Sequence, residues 1–461
     1  MTSETRKATI HELDYKGAGR AEVWRENEKG NLKKMKLTIP QTLPGEEVLV
    51  TVPTRKLKRW RTYADEIVTT HEERIVPPCP HFVKCGGCVW QHWQYKGQLR
   101  EKTSYVKQAL KSEDFDPALV RDTIGMEEPW QYRNKMEFTF SPDGHMGLME
   151  QGNFRNVIPL ETCLIAGEEM VDAAMEVAAW TKEHGLEGYN KEEHTGLLRH
   201  LMVRQSFATG EIMLGVFATE SPQGPLADAV DQLVKRIENK FPQVKSIMWL
   251  ENRDWADRTQ SEKTHLLSGR DFIYDEMAGY RFRLWFDTFF QTNPTQAQKL
   301  VDIALEMAEP KKTEKMMDLF CGVGTFSLPF ADRVGELAGI ELVESSIASA
   351  RRNAQENGVN NTTFLANSAR EGIEEMLESF GRPELLLLDP PRSGAGGKVM
   401  RKIGRAQPER IVYVSCNPDT FATDIKQLEV FGYELKVVQP VDLFPQTVHV
   451  ECVARLEKKE N

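Results

Sequence analysis

The chain reads as a multidomain protein in three parts: a small β-barrel, a central α+β region, and a C-terminal α/β domain on an open parallel sheet. Three observations predict this. Its 461 residues exceed what one hydrophobic core ordinarily organises. Residues 1–72 break into short β-type runs separated by the turn signals Lys16-Gly17-Ala18-Gly19, Glu28-Lys29-Gly30-Asn31 and Leu43-Pro44-Gly45-Glu46. From about Phe286 onward, continuous apolar strands alternate with helical stretches, the pattern of a parallel sheet covered by helices on both faces.

In the first part, residues 36–39, 47–52 and 62–68 have β composition, and their spacing suits a barrel of the oligonucleotide-binding kind. The run Arg55-Lys56-Leu57-Lys58-Arg59-Trp60-Arg61 falls on or beside one strand; its cations and aromatic form either a phosphate-binding patch or a solvated charged strand. Pro77-Pro78 punctuates the entry to the second part, residues 73–285. There 95–111, 168–184 and 225–240 read as helices, and 136–140, 201–205, 212–217 and 246–250 as strands. In the third part, 286–461, strands are expected at 316–320, 336–341, 385–389 and 411–415, with helices at 326–333 and 345–357.

Composition narrows the function. A chain with 40% apolar and 28% charged residues is of the soluble globular kind, and no stretch approaches the roughly 18 unbroken apolar residues of a membrane span. Met1 to Glu12 is polar, unlike a signal peptide, so a cytoplasmic location and no membrane partner are expected. The net charge of −10 argues against indiscriminate polyanion binding and leaves nucleic-acid contact to local basic patches. No obligate protein partner is evident.

Four late motifs carry chemistry. The strand at 316–319 runs into Gly322-Val323-Gly324, where glycines permit a tight turn and close approach of backbone to a ligand. The third glycine of a dinucleotide fingerprint would fall at Ser327, which weakens a pyrophosphate reading. Glu341 ends the next apolar strand, where a carboxylate can take both hydroxyls of a ribose, and Asp389 ends another. Three strand ends therefore point to one crevice.

Cys416 follows the strand 411–414 at the same end. Its polar neighbours Ser415 and Asn417, with Pro418 behind, favour a site-lining loop over the buried structural role of most free thiols. In 448–454 alternate residues share a face, so Glu451 goes with His449 and Val453, and Cys452 with Val450 and Ala454. A carboxylate in such an apolar strand is either a tuned general base or half of a structural salt bridge. A thiol beside a base is what activation of C5 of a pyrimidine requires.

Seven cysteines, odd in number and with three inside 79–88, suit a metal site plus individual thiols better than a disulfide framework. Cys79, Cys85 and Cys88 surround Gly86-Gly87, and Cys163 lies far along the chain. Four thiolates suit either zinc or an iron–sulfur cluster, although the spacing fits no common zinc finger.

Taken together, Gln291-Thr292-Asn293, Asp318-Leu319-Phe320-Cys321-Gly322-Val323-Gly324, Asp389-Pro390-Pro391-Arg392, Ser415-Cys416-Asn417-Pro418 and His449-Val450-Glu451-Cys452 resemble the RNA 5-methyluridine methyltransferase family. The N-terminal barrel resembles the TRAM domain of many members, so the resemblance covers nearly the whole chain. It implies a Rossmann-like catalytic domain that binds S-adenosylmethionine through Gln291, Phe320, Glu341, Asn367 and Asp389. It implies Cys416 as nucleophile toward C6 of uracil, Glu451 as base, and a 4Fe-4S cluster on Cys79, Cys85, Cys88 and Cys163. Thr325 departs from the asparagine of some members. The substrate implied is 23S rRNA, since members acting on tRNA commonly lack both barrel and cysteines; tRNA is the runner-up. A non-catalytic RNA-binding or ribosome assembly factor and an iron–sulfur oxidoreductase are the other classes. The filled active-site motifs oppose the first, and Ser327 with the Cys416 and Glu451 pair opposes the second. Asp389 has a second reading as a holder of the target base, as in amino-group methyltransferases, but Arg392 replaces the stacking aromatic of that motif.

Overall fold

The computed structural model describes residues 3–26, 32–53, 57–255 and 259–459. The predicted turn at 28–31 and the cations Arg55 and Lys56 lie outside the described residues. The N-terminal part is two small sheets closed on one core. Ser3–Thr9, Glu47–Pro53 and Ala64–Thr69 form one, and Glu12–Leu13, Gly19–Glu26, Leu32–Ile39 and Arg59–Arg61 the other. Val23, Met35, Leu37, Val48 and Val50 fill the space between them. The strand expected at 62–68 is Ala64–Thr69, which pairs with Glu47–Val50, and a further short strand just before it, Arg59–Arg61, pairs parallel with Lys36–Thr38 in the other sheet. Arg59 and Arg61 are exposed there.

The central part is a seven-stranded sheet in the order Asn153–Pro159, Met146–Glu150, Lys135–Phe140, Leu198–Gln205, Ile212–Ala218, Val244–Glu251, Lys263–Gly269. Leu198–Gln205 and Ile212–Ala218 are buried at every position because both faces are covered. Helices Glu168–Glu183 and Ala227–Lys240 cover one face. Met202, Met213 and Met248 on the other share a core with Leu300, Val301 and Ile347 of the C-terminal part.

The C-terminal sheet runs Thr362–Ala366, Glu336–Glu341, Lys315–Leu319, Leu385–Leu388, Arg410–Ser415, Glu451–Lys458, Tyr433–Val441. Its pairings are parallel except those of Glu451–Lys458, which runs against both neighbours. The strand order reverses between Lys315–Leu319 and Leu385–Leu388, and ligands of such sheets bind outside the carboxyl ends at that point. Helix Tyr95–Ser112, which the sequence places in the central part, packs Val106, Ala109 and Leu110 against this sheet's helical layer instead. Val120 and Ile124 bridge to Val438 and Val441 and extend the sheet edge. A helical stripe announces that one face is buried but not which sheet buries it.

Candidate active site

The first strand, Lys315–Leu319, delivers the chain into the crevice through strained backbone. Phe320 has φ 64°, rare for a bulky residue, and is held there as its N–H and that of Cys321 both donate to Ile340 O, at 2.8 and 3.1 Å. Gly322 follows at φ 54°, and a Cβ added there would meet nothing within 4 Å, so the turn presents open backbone. Glu341, ending the next strand, accepts from Val343 N at 2.9 Å and Gly322 N at 3.4 Å. Beside it Leu342 is 70% exposed, an apolar surface at the rim of a polar crevice. Asp318 is buried; Ser327 Oγ donates to its Oδ2 at 2.5 Å while Oδ1 has no partner among the described residues. Burial, with the fields of Asp389 and Glu341, pushes the Asp318 carboxyl up to about 7 despite that hydrogen bond. Ser327, where a dinucleotide site wants glycine, thus has a use of its own.

The antiparallel strand explains how the other two motifs meet. Its N-terminus lies at the end of the sheet where the parallel strands finish, and the register sets Ser415 opposite Cys452. Cys416, one step on, therefore adjoins Glu451, one step back. Cys452 and Ala454 face one core and Val453 the other, as the alternation predicted. The ordered strand begins at Glu451 rather than 448, so His449 belongs to the preceding loop.

Glu451 is 6% exposed, and no hydrogen bond or ion pair among the described residues engages its carboxyl. Burial, with Asp389 adding and Arg392 opposing, pushes it up to about 8. Cys416 is half-buried; burial and then the negative fields of Glu451 and Asp389 push its thiol up to about 11, against Arg392. Burial alone lifts Asp389 to about 7. Three acids and one exposed guanidinium thus share one small volume, and their protons are interdependent. Arg392 Nη1 donates to His449 Nδ1 at 3.2 Å, and burial holds that imidazole down at about 4, hence neutral and able to accept.

The loops carrying these groups are fixed to each other. Asn417 caps helix Pro418–Lys426 by accepting from Asp419 N at 3.2 Å, while its Nδ2 donates to Arg392 O at 3.0 Å. Buried Asp424 accepts from Ala395 N and Tyr413 OH, each at 2.7 Å. Lys102 Nζ reaches Asp442 at 2.6 Å, both side chains fully buried, and also donates to Phe444 O, anchoring the segment before Glu451. Sequence reading missed Asp424, Lys102 and Asp442. Nothing in the sequence signalled the second bond of Asn417 or pairs separated by hundreds of residues.

Of the remaining predicted residues, Gln291 enters by its loop: Asn134 Nδ2 donates to Gln291 O at 3.1 Å and Asn134 N to Thr292 O at 2.9 Å. Asn367 stands at a strand end, but its amide is engaged locally, accepting from Ser368 N at 2.8 Å and donating to Glu375 at 3.0 Å. Cys79, Cys85, Cys88 and Cys163 line one cavity of about 380 Å3, with Arg133 and Met149 among its walls. All four are free thiols, and burial pushes Cys88 up to about 12, with the other three adding to the rise. Among the described residues no group of three or more His, Cys, Asp or Glu side chains is arranged to hold a metal ion. Residues adjoining the cavity walls bond to the segment before Glu451: Val89 N and Trp90 N donate to Gln446 O at 2.8 and 3.0 Å, and Tyr132 OH donates to Pro445 O at 3.0 Å.

Fold and site together set a thiol and a carboxylate at the strand ends of an open α/β sheet, where such sheets bind their ligands. The family model for tRNA (uracil-5-)-methyltransferase matches residues 256–459. An uncharacterized RNA methyltransferase of Halalkalibacterium halodurans is 36% identical over 98% of this chain and 97% of its own length. One of Caldanaerobacter subterraneus is 33% identical over 97% and 98%. The solved structure of Pyrococcus abyssi tRNA (uracil-54, C5)-methyltransferase, in complex with S-adenosyl-L-homocysteine, superposes with TM-score 0.76 and 26% identity over 98% of this chain and all of that one. The chain belongs to the S-adenosylmethionine-dependent RNA uracil-5-methyltransferase family.

Proposed function

We propose that the protein forms 5-methyluridine in 23S rRNA through a covalent bond between Cys416 and C6 of the target uracil. The observation that carries this is the antiparallel register that sets Cys416 beside an unpaired, buried Glu451. The orphaned Asp318 Oδ1, the open backbone at Gly322, the anchored Glu341 and the apolar Leu342 suit a nucleoside with an amine-bearing tail. S-adenosylmethionine, when bound, supplies an electrophilic methyl group. Glu341 takes its ribose hydroxyls, and Gln291, Phe320 and Asp389 complete the pocket. Asn367 contributes its position at the rim, with its amide committed to Glu375. A uridine reaches this site from a loop or by flipping out of its stack.

Cys416 gives up its proton to solvent water and adds as thiolate to C6, which makes C5 a nucleophilic carbon. Arg392, whose field already opposes the rise of the thiol, favours the thiolate. Once C5 carries its new substituent, Glu451 as carboxylate removes the C5 proton, and the electron pair expels the Cys416 sulfur. The raised Glu451 matches a base working near neutral pH.

We assign Cys79, Cys85, Cys88 and Cys163 to a 4Fe-4S cluster. Four thiols lining one roomy cavity, in a sequence spacing unlike the common zinc fingers, suit a multi-iron cluster better than zinc. Methylation of a tRNA uridine is the second reading, favoured by the tRNA substrate of the Pyrococcus relative. Because that likeness spans 98% of this chain, the barrel does not by itself separate the two RNAs, and the preference for ribosomal RNA rests on the four cysteines. Unmodified 23S rRNA and tRNA transcripts, methylated with radiolabelled S-adenosylmethionine and digested to nucleosides, decide it. We expect label in 5-methyluridine from the ribosomal transcript; label from tRNA alone overturns the substrate and keeps the reaction.

A further inference from the structure

At one end of the central sheet the chain builds an aromatic stack that the methyl transfer does not use. Trp255 is 76% exposed, yet its ring lies against His194 with centroids 4.5 Å apart and planes 23° from parallel. His194 is held by a 2.9 Å hydrogen bond between its Nδ1 and Tyr189 OH, and the guanidinium of buried Arg199 lies 4.5 Å from the Tyr189 ring. Arg199 Nη1 also donates to Asn252 O and Oδ1 at 3.1 and 3.0 Å and to Asp254 O at 2.5 Å, which fixes the segment leading into Trp255. His194 adopts φ 56°, a left-handed conformation that strains a histidine and recurs at functional sites. Exposed tryptophans are ordinary; one pre-set on a strained histidine over a buried cation is an arrangement that folding alone does not call for.

We infer that this platform binds an unpaired nucleotide of the RNA substrate by stacking its base on Trp255. The inference rests on the reading of the protein as an RNA methyltransferase. The stack borders an open cleft of about 620 Å3, lined also by Thr219, Gln223 and Arg253. An aromatic face, polar groups for a base edge and the largely exposed guanidinium of Arg253, held at the cleft by Thr219 O at 3.0 Å and Glu251 at 3.3 Å, are the parts a single-stranded RNA site uses. A net charge of −10 leaves charge-based RNA affinity to local basic patches, and stacking adds to what those patches supply. The place is remote from the reacting uridine. Strand Leu198–Gln205 begins beside this stack and ends at Gln205, whose N–H donates to Asn134 O, the residue that holds Gln291. Its seven residue steps span about 23 Å at roughly 3.3 Å each. The base on Trp255 is therefore several nucleotides from the one being methylated.

The test compares the cluster-loaded wild type with Trp255→Ala and Trp255→Tyr, measuring direct binding of a long unmodified transcript and steady-state methylation. Trp255→Ala should weaken RNA binding and raise KM by about 5- to 150-fold, the range one base–aromatic stack contributes, with kcat and cofactor affinity unchanged. Trp255→Tyr should restore most of the loss. Short single-stranded RNA should quench wild-type tryptophan fluorescence by an increment missing from Trp255→Tyr. If Trp255→Ala binds and methylates RNA as the wild type does, the platform is overturned while the activity stands. The platform falls equally if Trp255→Ala loses only a co-purifying protein and keeps its RNA affinity. If the wild type binds RNA through Trp255 and transfers no methyl group, the activity reading fails and the platform stands.

Discussion

At the residue scale, the site stores protons that an unfolded chain would release. Glu451 in the folded protein holds its proton to about pH 8, whereas its ordinary carboxyl value is 4.5. Between those limits the folded state binds more protons than the unfolded one, so this group's contribution to stability is full below pH 4.5 and declines as pH rises toward 8. Glu451→Gln removes the penalty of burying a charge. In thermal melts from pH 5 to 8 the variant should therefore lose less stability than the wild type, the gap growing by about 1.4 kcal/mol per pH unit at most. Asp389 is present in both proteins, and Cys416 starts to matter only above its ordinary value of 9. Parallel pH profiles for the two proteins would contradict the buried, unpaired carboxyl. As chemistry these residues were legible in the sequence: Cys416 beside polar neighbours, and Glu451 in an otherwise apolar run. Their adjacency was not, because it depends on one strand running against its neighbours.

At the scale of elements, the loops around the site act as one unit. Asn417 does two things with one amide, capping a helix with its oxygen and holding the Arg392 loop with its nitrogen. Asn417→Asp keeps the cap and loses the donor; Asn417→Ala loses both. We expect Asn417→Ala to cost about 0.5–2 kcal/mol in denaturant unfolding. Asn417→Asp should stay near wild-type stability but lose kcat as Arg392 drifts. Equal activity in Asn417→Asp and wild type would show that the second bond positions nothing. Periodicity located the long elements well, such as helix Tyr95–Ser112 and strand Glu336–Glu341. It missed Thr362–Ala366, whose polar threonines and half-exposed edge position lack an apolar signature, and Tyr433–Val441, where alternation breaks at a bulge between Leu435 and Val437.

At the scale of the molecule, segments distant in the chain pack on one another's sheets. Helix Tyr95–Ser112 crosses to the catalytic sheet, and the cysteine cavity is bonded through Val89, Trp90 and Tyr132 to the segment that leads into Glu451. A long helix can report its amphipathic stripe to a reader of sequence; its partner, fixed by chain crossings far apart in number, cannot be read that way. Loss of the proposed cluster should therefore be felt beyond its proposed ligands. Cys85→Ser, purified without oxygen, should lack iron and its brown colour, and should exchange the amide hydrogens of Val89 and Trp90 faster than the wild type. An unchanged iron content would remove Cys85 from the ligand set.

In the proposed cycle Cys416 bonds to uracil and Glu451 ends the reaction by taking the C5 proton. The most direct measurement is the intact mass of Glu451→Gln after reaction with S-adenosylmethionine and a short substrate RNA, with the linked residue mapped by digestion. We expect a stable protein–RNA species carrying one added methyl group on the RNA and its link at Cys416, absent from Cys416→Ala. Rapid turnover by Glu451→Gln with no trapped species, or a link at any other residue, would contradict it.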